Sequence, residues 1–494
     1  MCDCVAPAQH VVEREEAQRR PPLDRLRRLI DRFLPRGALV LSALSIGYFA
    51  AGVVRNRIFA AEFGASAELD AYNAAFRIPE IALDILVGAG LSAPFVPIFT
   101  RLAGERSDAE PNGEPAVGTR AAAFGQTVLT GAVAAIAIAL VVLFVAAPWV
   151  ADTVWSGFDA STKALYVELV RINCLAQLLF AASMALGEVL VARRRFLAYG
   201  AAPILYTTGI VLGALLLGPA LGIAGAAWGA VGGAAAHLTT RAFAAVQAGF
   251  PIRPRFAVRT PEFREFLRLM LPRMLSYPID PVTVAFLTVL ATGIGVGTVS
   301  ALSFVLDYQF VPVQMIAIAF SLAAFPTLSA TWAAGDGPAF RRLATRNIAT
   351  IGVLTALAAF ALAVLARPLV SILLGGGRFD RAAVDLTVAL LVAFTVSIPV
   401  DSLSYPLSRA LYATHNTLWQ VGGSIAGLAT LVLAAQLTVP ALGAAGIAAA
   451  YVLGGAVKLV VLSVGLARRV RRVPVAPVIG DAGASEVKAS AASG

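Results

Sequence analysis

Long apolar stretches alternate with short polar ones along this chain, and the lengths of the apolar stretches set the architecture. A helix needs about 20 mostly apolar residues to cross the hydrocarbon core of a bilayer. By that measure spans fall near 38–61, 71–100, 121–150, 163–191, 197–218 and 222–247. The polar stretch PIRPRFAVRTPEF, 251–263, interrupts the series, and six more spans follow near 265–293, 298–332, 345–373, 383–411, 417–438 and 441–467. The pattern predicts an all-α polytopic membrane protein of about twelve transmembrane helices. It divides the chain into a basic cytoplasmic N-terminal segment (1–37), a first six-helix lobe (38–250), a cytoplasmic linker (251–264), a second six-helix lobe (265–470) and a disordered tail (471–494) rich in Ala, Ser and Gly.

The two lobes repeat each other in sequence. PALGIAGAAWGAVGGAAAHL, from Pro219, and PALGAAGIAAAYVLGGAVKL, from Pro440, align at an offset of 221 residues. At that offset Pro219/Pro440, Leu221/Leu442, Gly222/Gly443, Gly225/Gly446, Gly233/Gly454 and Leu238/Leu459 coincide, which makes the sixth and twelfth helices equivalents. The second and eighth helices each carry an early proline (Pro79, Pro312) and a late one (Pro97, Pro326). Both halves begin on the same side, so the repeat is parallel, with its axis along the membrane normal. A central cavity with a substrate site between the lobes is the expectation that follows.

Charge sets the orientation. Arg101, Arg106 and Arg120, the run Arg193 to Arg195, Arg253, Arg255 and Arg259, Arg341, Arg342 and Arg346, and the cluster from Arg468 all fall on one side. The intervening loops are acidic or nearly uncharged apart from Arg378 and Arg381. The positive-inside rule then places both termini in the cytoplasm, in a multi-pass protein of the bacterial inner membrane. The first 37 residues are rich in arginine with no apolar core, so no signal peptide is expected in them. Within them, PPLDRLRRLIDRF (21–33) reads either as an amphipathic segment lying on anionic lipid or as a flexible leader.

Composition agrees: 59% of residues are hydrophobic and 14% charged, with mean hydropathy +0.79, against roughly 45–50% and 25% for soluble domains. The net charge of +10 comes from short runs between apolar segments, so nucleic acid is not an expected partner. Cys2, Cys4 and Cys174 supply no disulfide framework or metal set.

Polar side chains within spans are costly and mark pathways or pair with one another. The first helix ends GVVRNRIFAAEFG, with Arg55, Asn56, Arg57 and Glu62. The second opens LDAYNAAFRIPEIALDILVGAG, with Asp70, Asn73, Arg77, Glu80 and Asp84. Asp70, Arg77 and Asp84 recur every seven residues and so share a helical face. They line the central cavity in one reading and form a structural ion-pair network between helices one and two in the other. In the second half Arg273 and Asp280 repeat that spacing on helix seven, with Asp307 and Gln309 on helix eight and Asp401 and Arg409 on helix ten. Asp280 and Asp307 stand as coupling-cation or proton sites, or as partners that neutralise an arginine. His237 and Lys458, near helix ends, are expected at the membrane interface. Prolines within spans, among them Pro79, Pro312 and Pro399, are expected to bend them. GGGRF at 375–379 lacks the Gly-Lys-Ser/Thr ending of a phosphate-cradling loop, and no metal-ligand or nucleophile-and-base set is visible. The expectation is a transporter, not an enzyme, with no cofactor and with a coupling cation or the membrane potential supplying energy.

The segment GVVRNRIFAAEFGASAELDAYNAAFRIPEIALDILVGAGLSAPFVPIF resembles the lipid II flippase (MurJ/MviN) family of the multidrug/oligosaccharidyl-lipid/polysaccharide exporter superfamily. It carries the family's Gly-x-x-Arg, Phe-Gly, Asp-Ala-aromatic, Ala-Phe-basic-x-Pro and Phe-Val-Pro in order. FVPVQMIAIAFSLAAFPTLS (310–329) and LYATHNT (411–417) are weaker matches, and the resemblance runs over roughly 38–470. It implies a MATE-like two-lobed fold and alternating-access movement of lipid II, a peptidoglycan precursor, from the inner to the outer leaflet. The implied partners are the lipid-linked saccharide, membrane lipids and cell-wall synthesis proteins. It carries over Arg55 as a cavity arginine, Arg77 as a basic residue of helix two and Asp70 as the acidic residue before Arg77, while three family arginine positions hold Phe49, Leu83 and Asp307 here. Alternatives are a paralogue moving another polyprenyl-linked saccharide, a transport-inactive scaffold for envelope assembly, and a small-molecule exporter. The charge balance of the cavity discriminates: net positive fits a diphosphate lipid, net negative a cationic drug.

Overall fold

The computed structural model describes residues 36–85, 91–104, 118–276 and 279–471. The basic N-terminal segment with its amphipathic 21–33, Arg106, the tail beyond 471 and the Arg273 side chain lie outside the described residues.

Helix ends are written locally in the sequence. α1 (Arg36–Phe63) stops at Gly64, whose φ of 66° is the left-handed conformation that closes helices at little cost. Ser66 then caps α2 (Ala67–Leu83) by accepting from the Leu69 N–H at 3.3 Å. After α3 (Ser92–Gly104) and α4 (Thr119–Thr153), Asp159 caps α5 (Ala160–Ala192) through the Thr162 N–H at 2.9 Å. α6 (Phe196–Leu216) and α7 (Ala224–Gln247) complete the first half.

The non-helical stretch 251–260 lies along α4: Gln126 donates to the Pro251 carbonyl at 2.7 Å, and Thr130 accepts from the Arg255 N–H at 3.0 Å. The second half begins with α8 (Pro261–Ser276) and α9 (Ile279–Thr292). α10 (Thr298–Pro312) passes through a π-helical turn, Val313–Ile318, into α11 (Ala319–Ala333). The wide turn begins beside Pro312, which has no N–H to give to the ladder. α12 (Gly337–Leu373) is followed by α13 (Arg381–Thr395) and α14 (Ser397–Ala413), which meet at 41°. The break falls where Pro399 leaves the Thr395 carbonyl without its usual partner four residues on. α15 (Leu418–Leu442) and α16 (Ala444–Val470) close the chain.

Helices, single or paired, thus occupy all twelve expected stretches, and no strand occurs among the described residues. By length and apolarity alone seven helices among the described residues qualify as membrane spans, with α10 and α11 taken as one, or eight if the bent α13–α14 pair is also one span. α1 and α2 carry Arg55, Asn56, Arg77 and Glu80 of the cavity wall described below. Exposed apolar side chains, among them Val145, Phe360, Ile372 and Leu437, coat the outside as a lipid-facing surface requires.

The internal repeat is visible in the backbone. Gly222 and Gly443 hold φ of 57° and 56° at equivalent positions before α7 and α16. A Cβ on Gly233 would stand 2.5 Å from the Tyr206 carbonyl oxygen, and one on its equivalent Gly454 2.6 Å from that of Gly427. In each half, then, the last helix presses its backbone onto the helix before it through small residues, as membrane helices do where no side chain intervenes.

The halves join at one end of the bundle. The Arg378 N–H donates to the Ala61 carbonyl at 2.9 Å, Arg378 pairs with Glu68 at 3.7 Å, and Arg57 donates to the Gly375 carbonyl. There too the Asp70 carboxylate accepts from the backbone of Gly297 at 2.6 Å and of Ser300 at 2.7 Å, and from the Ser300 hydroxyl at 2.5 Å. GGGRF, 375–379, is the loop that carries the Arg378 and Gly375 contacts.

Candidate functional site

Away from that joint the halves part around a cavity of 740 Å³, walled by α1, α2 and α6 on one side and by α9, α10, α14, α15 and α16 on the other. Helices with a proline inside them, α2 with Pro79 and α14 with Pro406, form part of this wall.

The first-half wall carries Arg55 and Asn56 from α1 and Arg77 and Glu80 from α2. Arg77 lies 4.0 Å from Glu80 and donates to the Ser303 hydroxyl of α10 at 3.4 Å. Arg55 lies 3.2 Å from Asp307 across the cavity. From the second half come Asp280, Asp307, Gln309, Asp401 and Lys458. Lys458 pairs with Asp280 at 3.4 Å, and Gln309 reaches Asp401 at 3.5 Å while its Oε1 accepts from the Ser397 hydroxyl at 2.9 Å. The lining therefore holds three cations (Arg55, Arg77, Lys458) and four carboxylates (Glu80, Asp280, Asp307, Asp401), each cation with a carboxylate partner.

The structure brings together Arg55, Asn56, Arg77, Glu80, Asp280 and Asp307, and separates two expected members. Asp70 is 2% exposed and is engaged by the Gly297 and Ser300 donors, so it is a joint between the halves and not a cavity wall. Asp84 does not line the cavity either; α2 gives way to a π turn at Asp84 and Ile85, which ends the seven-residue register that grouped it with Arg77.

Two interfacial expectations are also corrected. Lys458 is a cavity residue. His237 is 0% exposed, with Nδ1 2.6 Å from the Ser183 Oγ and its ring stacked on Phe180; beside it Arg241 donates to the Ser183 and Tyr199 carbonyls at 3.2 and 3.1 Å. The close helix contact made by Gly233 and its neighbours seals this polar cluster inside the first half.

Sequence reasoning missed the tyrosines: Tyr48, Tyr72, Tyr206, Tyr405 and Tyr451 all line the cavity. Their signal was a hydroxyl-bearing ring inside an apolar span, which suits a wall that must be both hydrogen-bonding and apolar.

Two bent, parallel-repeated helical halves closed at one end around a polar cavity define a membrane transporter of the alternating-access kind. Solved structures agree on the fold. A "Lipid II flippase MurJ, inward closed conformation" is similar with TM-score 0.73 at 18% identity, over 88% of this chain and 90% of that one. An inward-facing multidrug resistance MATE family transporter of the MOP superfamily is similar with TM-score 0.65 at 14% identity, over 88% and 98%. The sequence profile of the family described as "Lipid II flippase MurJ" matches residues 59–491, and the chain belongs to that family. A relative from Burkholderia cenocepacia, "Lipid II flippase MurJ", is 24% identical over 442 residues, 88% of this chain and 84% of that protein.

Proposed function

We propose that this chain is a flippase that carries lipid II from the inner to the outer leaflet of the bacterial inner membrane by alternating access. The observation that carries the reading is the family match over 59–491, which takes in Arg77 and Glu80 of the first half and all of the second-half cavity wall. The chemistry supports it. A diphosphate and saccharide headgroup crossing hydrocarbon needs fixed cations and hydroxyl-bearing groups around it, while its lipid tail stays in the membrane. Arg55 and Arg77 are the headgroup cations in this reading, Asn56 and the tyrosines its neutral partners, and Glu80, Asp280, Asp307 and Lys458 the internal counter-charges. By charge alone the lining, with one carboxylate more than its cations, leans toward a cationic guest; the family match outweighs that balance, and the ion pairs leave the arginines to be claimed by a stronger anion.

In the same reading both termini are cytoplasmic, and the joint of Arg57, Arg378 and Asp70 with 297–300 and 375–378 lies at the outer face, shut. No covalent bond is made or broken and no cofactor is used; a coupling cation or the membrane potential drives the cycle. The test is complementation in a bacterium depleted of its own lipid II flippase, with the chain, Arg55→Ala and Arg77→Ala matched for membrane abundance. Growth and lipid II at the outer leaflet are expected with the parent and lost with either variant. A well-expressed parent that does not rescue overturns the reading.

A further inference from the structure

Arg55 belongs to the first half and Asp307 to the second, and a single carboxylate oxygen joins them. Asp307 Oδ2 accepts from Arg55 Nη2 at 3.2 Å and from Asn56 Nδ2 at 3.0 Å. Asn56 is 4% exposed, and its Oδ1 in turn accepts from Arg55 Nε and Nη2 at 3.2 and 3.0 Å, which fixes the guanidinium beside the carboxylate. The donors that a headgroup anion would need are therefore occupied by an anion of the protein's own. Asp307 is half exposed within the cavity, so a guest can reach it.

The geometry points to Asp307 as a built-in competitor for the headgroup: we propose that a lipid diphosphate displaces its carboxylate from Arg55 and Asn56, and that this exchange unties α1 from α10. The inference rests on the flippase reading and adds a selection rule to it. A carboxylate brings one negative charge, whereas a diphosphate diester brings two and enough oxygens for a bidentate contact with the guanidinium. A monophosphate diester or a neutral saccharide lipid has no such advantage over Asp307. The competition makes the site discriminate by headgroup charge, because a ligand must carry enough differential affinity to replace the internal partner. Asn56 is a positioning residue here: it serves whichever anion holds Arg55.

The test uses the full chain in lipid nanodiscs with two diester probes, an undecaprenyl diphosphate sugar with two negative charges and an undecaprenyl monophosphate sugar with one. The parent should bind the diphosphate in preference to the monophosphate. Asp307→Asn should bind both more tightly, by roughly two- to fivefold for a partly exposed pair, with the larger gain for the monophosphate, so that selectivity narrows. A second measurement needs no change at Asp307. Spin labels at Val54→Cys in α1 and Met315→Cys in the π turn that follows α10, both exposed positions, should report a longer distance between the two segments when the diphosphate is added and no change with the monophosphate. If the parent prefers the diphosphate but Asp307→Asn binds both lipids as the parent does, or the labels do not respond, the competitor is disproved and the flippase reading stands. If the parent binds neither lipid, the flippase reading fails and takes the competitor with it.

Discussion

Asp70 and Ser300 stand in different halves of the chain, and the carboxylate of one caps the helix that contains the other. α10 begins after Gly297, which has no side chain to cap it, and Asp70 accepts the Gly297 and Ser300 N–H groups in its place. A helix N-terminus leaves such donors unpaired and favours an anion beside them. The first half therefore completes a helix of the second only while that end of the bundle is shut.

Asp70→Asn should weaken this joint, because an amide offers one acceptor oxygen where the carboxylate uses two and loses the charge. Hydrogen bonds to charged groups are worth about 1.5–3 kcal/mol, so the closed arrangement should lose population by about tenfold or more. Thiol labelling of a cysteine placed at Tyr48, on the cavity wall, with an impermeant reagent added from outside should speed up accordingly. Unchanged labelling would show that the joint does not limit opening.

Two glycines next to each other should behave oppositely. A Cβ on Gly233 would meet the Tyr206 carbonyl at 2.5 Å, whereas one on Gly232 meets nothing within 4 Å. Gly233→Ala should destabilise by about 1–3 kcal/mol through overpacking, and Gly232→Ala should be neutral or slightly stabilising in its helix. Thermal melting in detergent and membrane abundance measure both. Gly454→Ala should match Gly233→Ala if the repeat governs packing in both halves.

Lys458 and Asp280 should act as a pair. Their side chains are 19% and 79% exposed, so solvent screening holds the interaction to about 0.5–1 kcal/mol. Asp280→Asn and Lys458→Met should each lower the melting temperature, and the double variant should lose less than the sum. Additive losses would mean that the two side chains act independently.

The Asp159 cap between α4 and α5 gives a pH prediction of definite sign. Hydrogen bonds from Thr162, then Ser161, hold its carboxyl below the ordinary aspartate value. A depressed group contributes stability that is complete above the unfolded value, about 3.9, and is lost as pH falls through the folded one. The melting-temperature deficit of Asp159→Ala should be largest at neutral pH and shrink on acidification below pH about 4; a deficit independent of pH would leave the charge without a role.

The fold was legible because each of its determinants is local or periodic. Apolar length located the helices, Gly222 and Gly443 announced the repeat, and Pro312 and Pro399 marked the π turn and the bend. The first-half cavity face was legible for the same reason, since Arg55, Arg77 and Glu80 lie on helices whose phase the sequence gives. What it could not give was depth. Asp70 and Arg77 share a face, but the halves touch at the level of one and part at the level of the other. Lys458 and His237 resembled interfacial residues because distance from a helix end is a poor measure of depth where neighbouring helices tilt and bend. Arg378, set aside as an exception to the charge asymmetry, proved to be a fastener between the halves.

The repeat is a symmetry of the scaffold, and the cavity charges break it. Arg55 and Arg77 against Glu80 leave the α1–α2 wall formally at +1, while Lys458 against Asp280, Asp307 and Asp401 leaves the facing wall at −2. Two walls of opposite sign across a narrow polar gap make a transverse electric field, and low-dielectric surroundings focus it. A guest that is anionic at one end and hydroxyl- or amine-bearing at the other is therefore turned as well as held: its phosphates face α1 and α2, and its donors face α9, α10, α14 and α16. Duplication supplied a frame able to rock, and divergence of a few side chains gave that frame a direction in which to point its cargo.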